Sequence, residues 1–141
     1  MIAYLKVFIF SMLPIFELRG AIPYGLKIGL PFWQVLLIAV IGNLIPVIFI
    51  LLIGRFIGSH IFPKWLLQRT QNKHENKFLK WGDFALISFV AIPLPFTGAW
   101  TGALAALIFR VKFWRALGLI SIGVIISGII VSIISLGIFS L

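Results

Sequence analysis

Glu17 and Arg19 stand two residues apart in the stretch Pro14-Ile-Phe-Glu-Leu-Arg-Gly-Ala-Ile-Pro23, within a 141-residue chain that is 62% hydrophobic and 11% charged. An ionisable side chain in so apolar a sequence is costly to bury and marks a functional site by default. A carboxyl group there could carry a proton, because removal from water disfavours its charged form. A guanidinium could hold an anionic group, such as a phosphate, through its planar fork of donors. The plainer reading is that the two charges pair with each other, or lie where water reaches them.

Other polar residues could complete such a site. Asn43 lies near the middle of a long apolar run, and Pro46 reads as a structural break in it, leaving the carbonyl of Gly42 without its usual donor. It either reaches the site or serves as an interhelical hydrogen-bonding group. Thr97, Trp100 and Thr101 follow a second Pro-rich stretch and offer two hydroxyls and an aromatic wall. The candidate substrate- or proton-binding set is therefore Glu17, Arg19, Asn43, Thr97, Trp100 and Thr101. No nucleophile–base pair or phosphate-cradling loop is visible, so the chain reads as a non-enzyme without a cofactor. It has no cysteine, and His60 and His74 are poorly spaced as metal ligands. No metal site is expected.

These residues must be positioned by elements that suit lipid. A soluble domain is about a quarter charged and just under half apolar, and a short chain cannot hide such an excess in a core. Met1–Phe16 carries no small-x-small cleavage site and reads as mature protein rather than a signal peptide. The segments 32–57 and 113–139 are each long enough to cross a bilayer as one helix, which takes roughly 20 residues. The other two apolar stretches are interrupted. One runs into Pro14, Gly20 and Pro23, the other into Pro93, Pro95, Gly98 and Gly102. Proline removes a backbone donor and pushes the preceding residue out of helical geometry. A helical stub before each break would be about 17–20 Å long at 1.5 Å per residue, enough to reach the middle of a bilayer. Gly25/Gly29, Gly54/Gly58 and Gly98/Gly102 are small-xxx-small pairs suited to close helix packing. Asp83 reads as the N-cap of the second interrupted stretch.

Basic residues arbitrate between four spans and two spans with two re-entrant hairpins. The net charge is +9, which in so apolar a chain points to membrane orientation and anionic headgroups rather than nucleic acid. Arg55, Lys64, Arg69, Lys73, Lys77, Lys80, Arg110, Lys112 and Arg115 all fall on one side if each interrupted stretch dips in and returns. That arrangement is preferred, with linker 59–82 cytoplasmic and both termini external. Between Trp65 and Trp81 the linker is either an amphipathic helix on the inner leaflet or a solvated loop. At an offset of 81 residues Phe8 matches Phe89, Leu13-Pro14 matches Leu94-Pro95, Phe32-Trp33 matches Phe113-Trp114, and Gly42 matches Gly123. With one true crossing per half the repeat must be inverted, a plan recurrent in transporters.

The expected fold is thus an all-α integral membrane protein built as an inverted repeat. Residues 1–58 form the first repeat (hairpin 1–30, transmembrane helix 32–57), 59–82 the basic linker, and 83–141 the second repeat (hairpin 84–109, transmembrane helix 113–139).

Glu17-Leu-Arg-Gly-Ala-Ile-Pro23, Gly42-Asn43-x-x-Pro46 and Ala91-Ile-Pro-Leu-Pro-Phe-Thr-Gly-Ala-Trp-Thr-Gly102 resemble the small multidrug export proteins over nearly the whole chain. The resemblance implies export of small molecules. More distantly the layout resembles the DedA family, which implies re-entrant hairpins, proton coupling and translocation of lipids such as polyprenyl phosphates. Glu17 matches the acidic residue of that family's hairpin. The second hairpin has no arginine at its tip, and Arg110 lies at its far end. The resulting expectation is a proton- or ion-coupled transporter in a prokaryotic plasma membrane, with a midplane site between the hairpins. Its partners would be membrane lipids, a small-molecule or lipid substrate, and a second copy in a homodimer. A lipid translocase and a non-transporting membrane scaffold are the alternatives.

Overall fold

A computed structural model describes the backbone of residues 1–61 and 75–141 and the side chains of 1–57 and 81–141. Among the described residues there are six helices and no strand: α1 (Ile2–Met12), α2 (Glu17–Lys27), α3 (Phe32–Ile61), α4 (Glu75–Ala91), α5 (Ala99–Ile108) and α6 (Phe113–Phe139). The expected surface helix or loop of the linker falls mostly on residues 62–74, outside those described.

Two helices, Phe32–Ile57 within α3 and Phe113–Phe139, are long and apolar enough to cross a membrane. α1 and α5, of 11 and 10 residues, are too short to do so. Each interrupted stretch instead doubles back. The rings of Phe10 and Tyr24 meet edge to face at 5.1 Å, and a Cβ added to Gly25 would fall 3.0 Å from Val7, so α2 lies along α1. Likewise a Cβ on Gly102 would fall 2.5 Å from Val90, so α5 lies along α4. Glycine at both contacts lets the arms of each hairpin approach closely.

The ends of α2 and α5 are alike. After α2, Ile28 N–H donates to Tyr24 O, Gly29 to Leu26 O and Leu30 to Gly25 O, at 3.0–3.2 Å. After α5, Phe109 donates to Ala105 O, Arg110 to Leu107 O and Val111 to Ala106 O, at 2.9–3.1 Å. Both are Schellman endings with a left-handed residue at the turn, Gly29 (φ 81°) in one half and Arg110 (φ 54°) in the other. Contacts between halves are also reciprocal: α2 packs on α6, and α5 packs on α3. Gly128 of α6 abuts Leu36 and Val40 near the start of α3, whereas Gly54 near the other end abuts Leu107, just before α6 begins. The two long helices therefore run side by side in opposite directions. A core of Leu18, Ile22, Val35, Ala39, Ile120 and Val124 joins them.

Large apolar side chains remain exposed around the outside, among them Leu37, Ile41 and Phe49 on α3 and Ile125, Ile129 and Ile133 on α6. Water would penalise such a surface and lipid would not. Three sequence expectations need correction. Gly20 and Pro23 do not interrupt the chain but lie inside α2, and Pro46 lies inside α3. Burial of Ala21, Ile22 and Val47 holds these turns helical despite the missing donors. Gly102 likewise sits within α5. Asp83 is not an N-cap, because α4 starts at Glu75; its carboxylate accepts from Arg115 Nε at 3.1 Å and Nη2 at 2.5 Å.

Candidate functional site at the meeting of the two breaks

The chain leaves helical geometry at residues 13–16 and 92–98, where Pro14, Pro93 and Pro95 stand, and the two interruptions meet. A break exposes carbonyls at the end of one helix and amides at the start of the next, and these need partners where water is scarce. Glu17 opens α2 with φ 46°, a left-handed conformation that costs a residue with a Cβ about 1–2 kcal/mol. Its buried carboxylate accepts hydrogen bonds from the backbone amides of Ala99 and Trp100, the first two residues of α5. An anion at a helix N-terminus is favoured by the helix dipole, so Glu17 caps a helix of the opposite half. Gly98, at φ 148°, is the N-cap residue of α5. A Cβ on Gly98 would collide with the Glu17 carboxylate.

Arg19 handles the carbonyl side of the same break. Its guanidinium donates to Leu94 O and Thr97 O, and to Thr97 Oγ1 at 3.1 Å. The Thr97 hydroxyl lies 2.7 Å from Ile92 O and 2.9 Å from Leu94 O, donating to one of them, and accepts from Leu94 N–H at 3.2 Å. In the other direction, Trp100 Nε1 donates to Met12 O at 3.2 Å, the last residue of α1. Each hairpin therefore satisfies backbone groups freed by the break in the other.

The structure thus brings together Glu17, Arg19, Thr97 and Trp100. Thr101 is turned to its own helix, donating to Gly98 O at 3.2 Å. Asn43 is 1% exposed on α3, and its Oδ1 has no hydrogen-bond partner. No hydrogen bond ties Asn43 to the cluster. A cavity of about 260 Å³ adjoins Arg19 and runs along the later turns of α6, lined also by Pro23, Pro93 and Ser135. Sequence reading missed Gly98 as the residue facing Glu17, although their separation of 81 is the repeat offset itself. It also missed Ser135, whose hydroxyl donates to Val131 O at 2.7 Å, because a serine in an Ile-rich helix carries no local signal.

The family described as "Putative small multi-drug export protein" matches residues 17–130, beginning at Glu17 and covering most of the chain. Comparison with curated proteins and with solved structures found no match. The match takes in α2, the second break and most of both long helices, and the chain belongs to this small multi-drug export family.

Proposed function

We propose that the chain is a proton- or ion-coupled exporter of small molecules, working by alternating movement of two inverted halves about the meeting of their breaks. Membership of an export family supports a transporter-like role in the membrane. One observation carries the rest: Glu17, buried and in a strained backbone conformation, grips the first turn of the opposite hairpin, two residues from Arg19, which lines a cavity. As a carboxylate it accepts the amides of Ala99 and Trp100. Protonation removes the charge that the helix dipole favours and weakens both hydrogen bonds. The hold of one half on the other then loosens, and the second hairpin is free to shift.

In this mechanism Arg19 is the substrate-side partner. Its donors rest on Leu94 and Thr97 carbonyls, and a polar group entering the adjacent cavity can exchange for one of them. The unpartnered Oδ1 of Asn43 is a second polar acceptor inside the bundle, of the kind that demands an explanation. The hairpins are re-entrant, with the linker cytoplasmic and both termini external. The opposite directions of α3 and α6 support that inversion. The small chain encloses the pathway as a homodimer in a prokaryotic plasma membrane.

The test uses proteoliposomes loaded with ethidium under an imposed pH gradient. The wild-type chain should release dye in a gradient-dependent manner, and Glu17→Gln should abolish that dependence while the protein remains folded. Gradient-driven release by Glu17→Gln at the wild-type rate would remove Glu17 as the proton carrier. Unchanged phenotype in both Glu17→Gln and Arg19→Gln would instead favour a scaffold.

A further inference from the structure

A cavity larger than the one beside Arg19 lies in the second half. It measures about 470 Å³, within the range of small-ligand sites. Its wall is formed by Ala85, Leu86 and Phe89 of α4 and by Ala105, Ala106 and Phe109 at α5. Arg110, Lys112 and Arg115 stand at the rim with Asp83. The repeat explains why it is open. The counterparts of Ala85 and Ala105 at the 81-residue offset are Tyr4 and Tyr24. In the first half Tyr24 packs on Phe10, and Tyr4 donates to Gln34 at 2.5 Å, so bulky side chains stand at the two positions where the second half has alanine. Replacing both tyrosines by alanine leaves a void in the second half.

The rim differs in the same one-sided way. Gly29, Pro31 and Gln34 of the first half correspond to Arg110, Lys112 and Arg115 of the second. Arg110 is the clearest case. It occupies the left-handed turn of the Schellman ending, where the first half uses glycine, and a side chain there is strained. Strain retained at a cavity mouth is a pointer to function. Three basic residues at the cavity stand against one acidic residue, Asp83, which holds Arg115, so the rim keeps a positive balance. The rim also lies at the start of α6, the end of a membrane-crossing segment, which is the level of lipid headgroups.

We infer that this cavity is a binding site for an anionic phospholipid of the bilayer, with an acyl chain between α4 and α5 and the phosphate against Arg110 and Lys112. The site is separate from the breaks, and the inference does not depend on Glu17 carrying protons. It predicts that the full chain, placed in phosphatidylcholine nanodiscs containing a minor fraction of phosphatidylglycerol, retains phosphatidylglycerol selectively when examined by native mass spectrometry. Arg110→Gly, which restores the first-half residue and relieves the turn, should weaken that retention while the protein melts no lower than wild type. Arg110→Gln combined with Lys112→Gln, both at exposed positions, should weaken it roughly 30-fold, at about 1 kcal/mol per basic residue. Ala105→Tyr should exclude the lipid by placing a phenol ring in the cavity. Equal retention of phosphatidylcholine and phosphatidylglycerol, undiminished retention in both charge variants, or displacement of the lipid by inorganic phosphate alone would overturn the assignment.

Discussion

Glu17 and Gly98, equivalent positions of the two halves 81 residues apart, face each other across the meeting of the breaks: the carboxylate of one occupies the space where a side chain of the other would stand. Both carry positive φ, 46° and 148°. The same backbone position thus holds the acid in one half and the vacancy that receives it in the other. Sequence symmetry ends at that point because two side chains cannot share one space.

Gly98→Ala should destabilise the protein by about 2–3 kcal/mol, since its φ is nearly restricted to glycine, with a further loss from the clash with Glu17. Thermal unfolding in detergent of Gly98→Ala, Glu17→Ala and the double variant would measure this. The double variant should recover at least part of the clash, giving a coupling of about 1 kcal/mol. Strict additivity would mean that the two residues do not touch.

Arg19→Lys keeps the charge but replaces a two-pronged donor by a single ammonium. It cannot reproduce the fork that serves Leu94 O, Thr97 O and Thr97 Oγ1 together. A carbonyl left without a donor where water is scarce costs about 1–3 kcal/mol, so a fall in melting temperature is expected. Lysine behaving as wild type would show that only the charge matters.

Asn43→Val installs the residue found at the equivalent position of the second half, the buried Val124. Removing a buried acceptor without a partner should leave stability unchanged or raise it by up to about 1 kcal/mol. Dye export should nevertheless decline. A stability loss with unaltered export would assign Asn43 to helix packing.

Topology can be read on a background without cysteine. Single cysteines at Phe56 and Lys112, both exposed, should react with an impermeant thiol reagent from the same side of the membrane. A cysteine at Leu141 should react from the other. Labelling of positions 56 and 112 from opposite sides would replace the re-entrant hairpins by full crossings.

Composition and the spacing of prolines were enough to identify two long apolar helices and two interrupted stretches. Helix length and the donor lost at proline are local properties, so those elements were legible in the chain. The offset of 81 pairs residues 28–30 with 109–111, and the hydrogen bonds of these two helix endings match. Pro23 and Pro46 were misjudged as breaks because their turns are held by neighbours distant in sequence. Asp83 was misjudged because its partner, Arg115, is 32 residues away. Glu17 and Arg19 stood out as costly charges, but their types alone could not say what would meet them. Only the tertiary structure decided that, because the groups they satisfy are backbone amides and carbonyls. Every residue carries these, so no residue type in the sequence marks them.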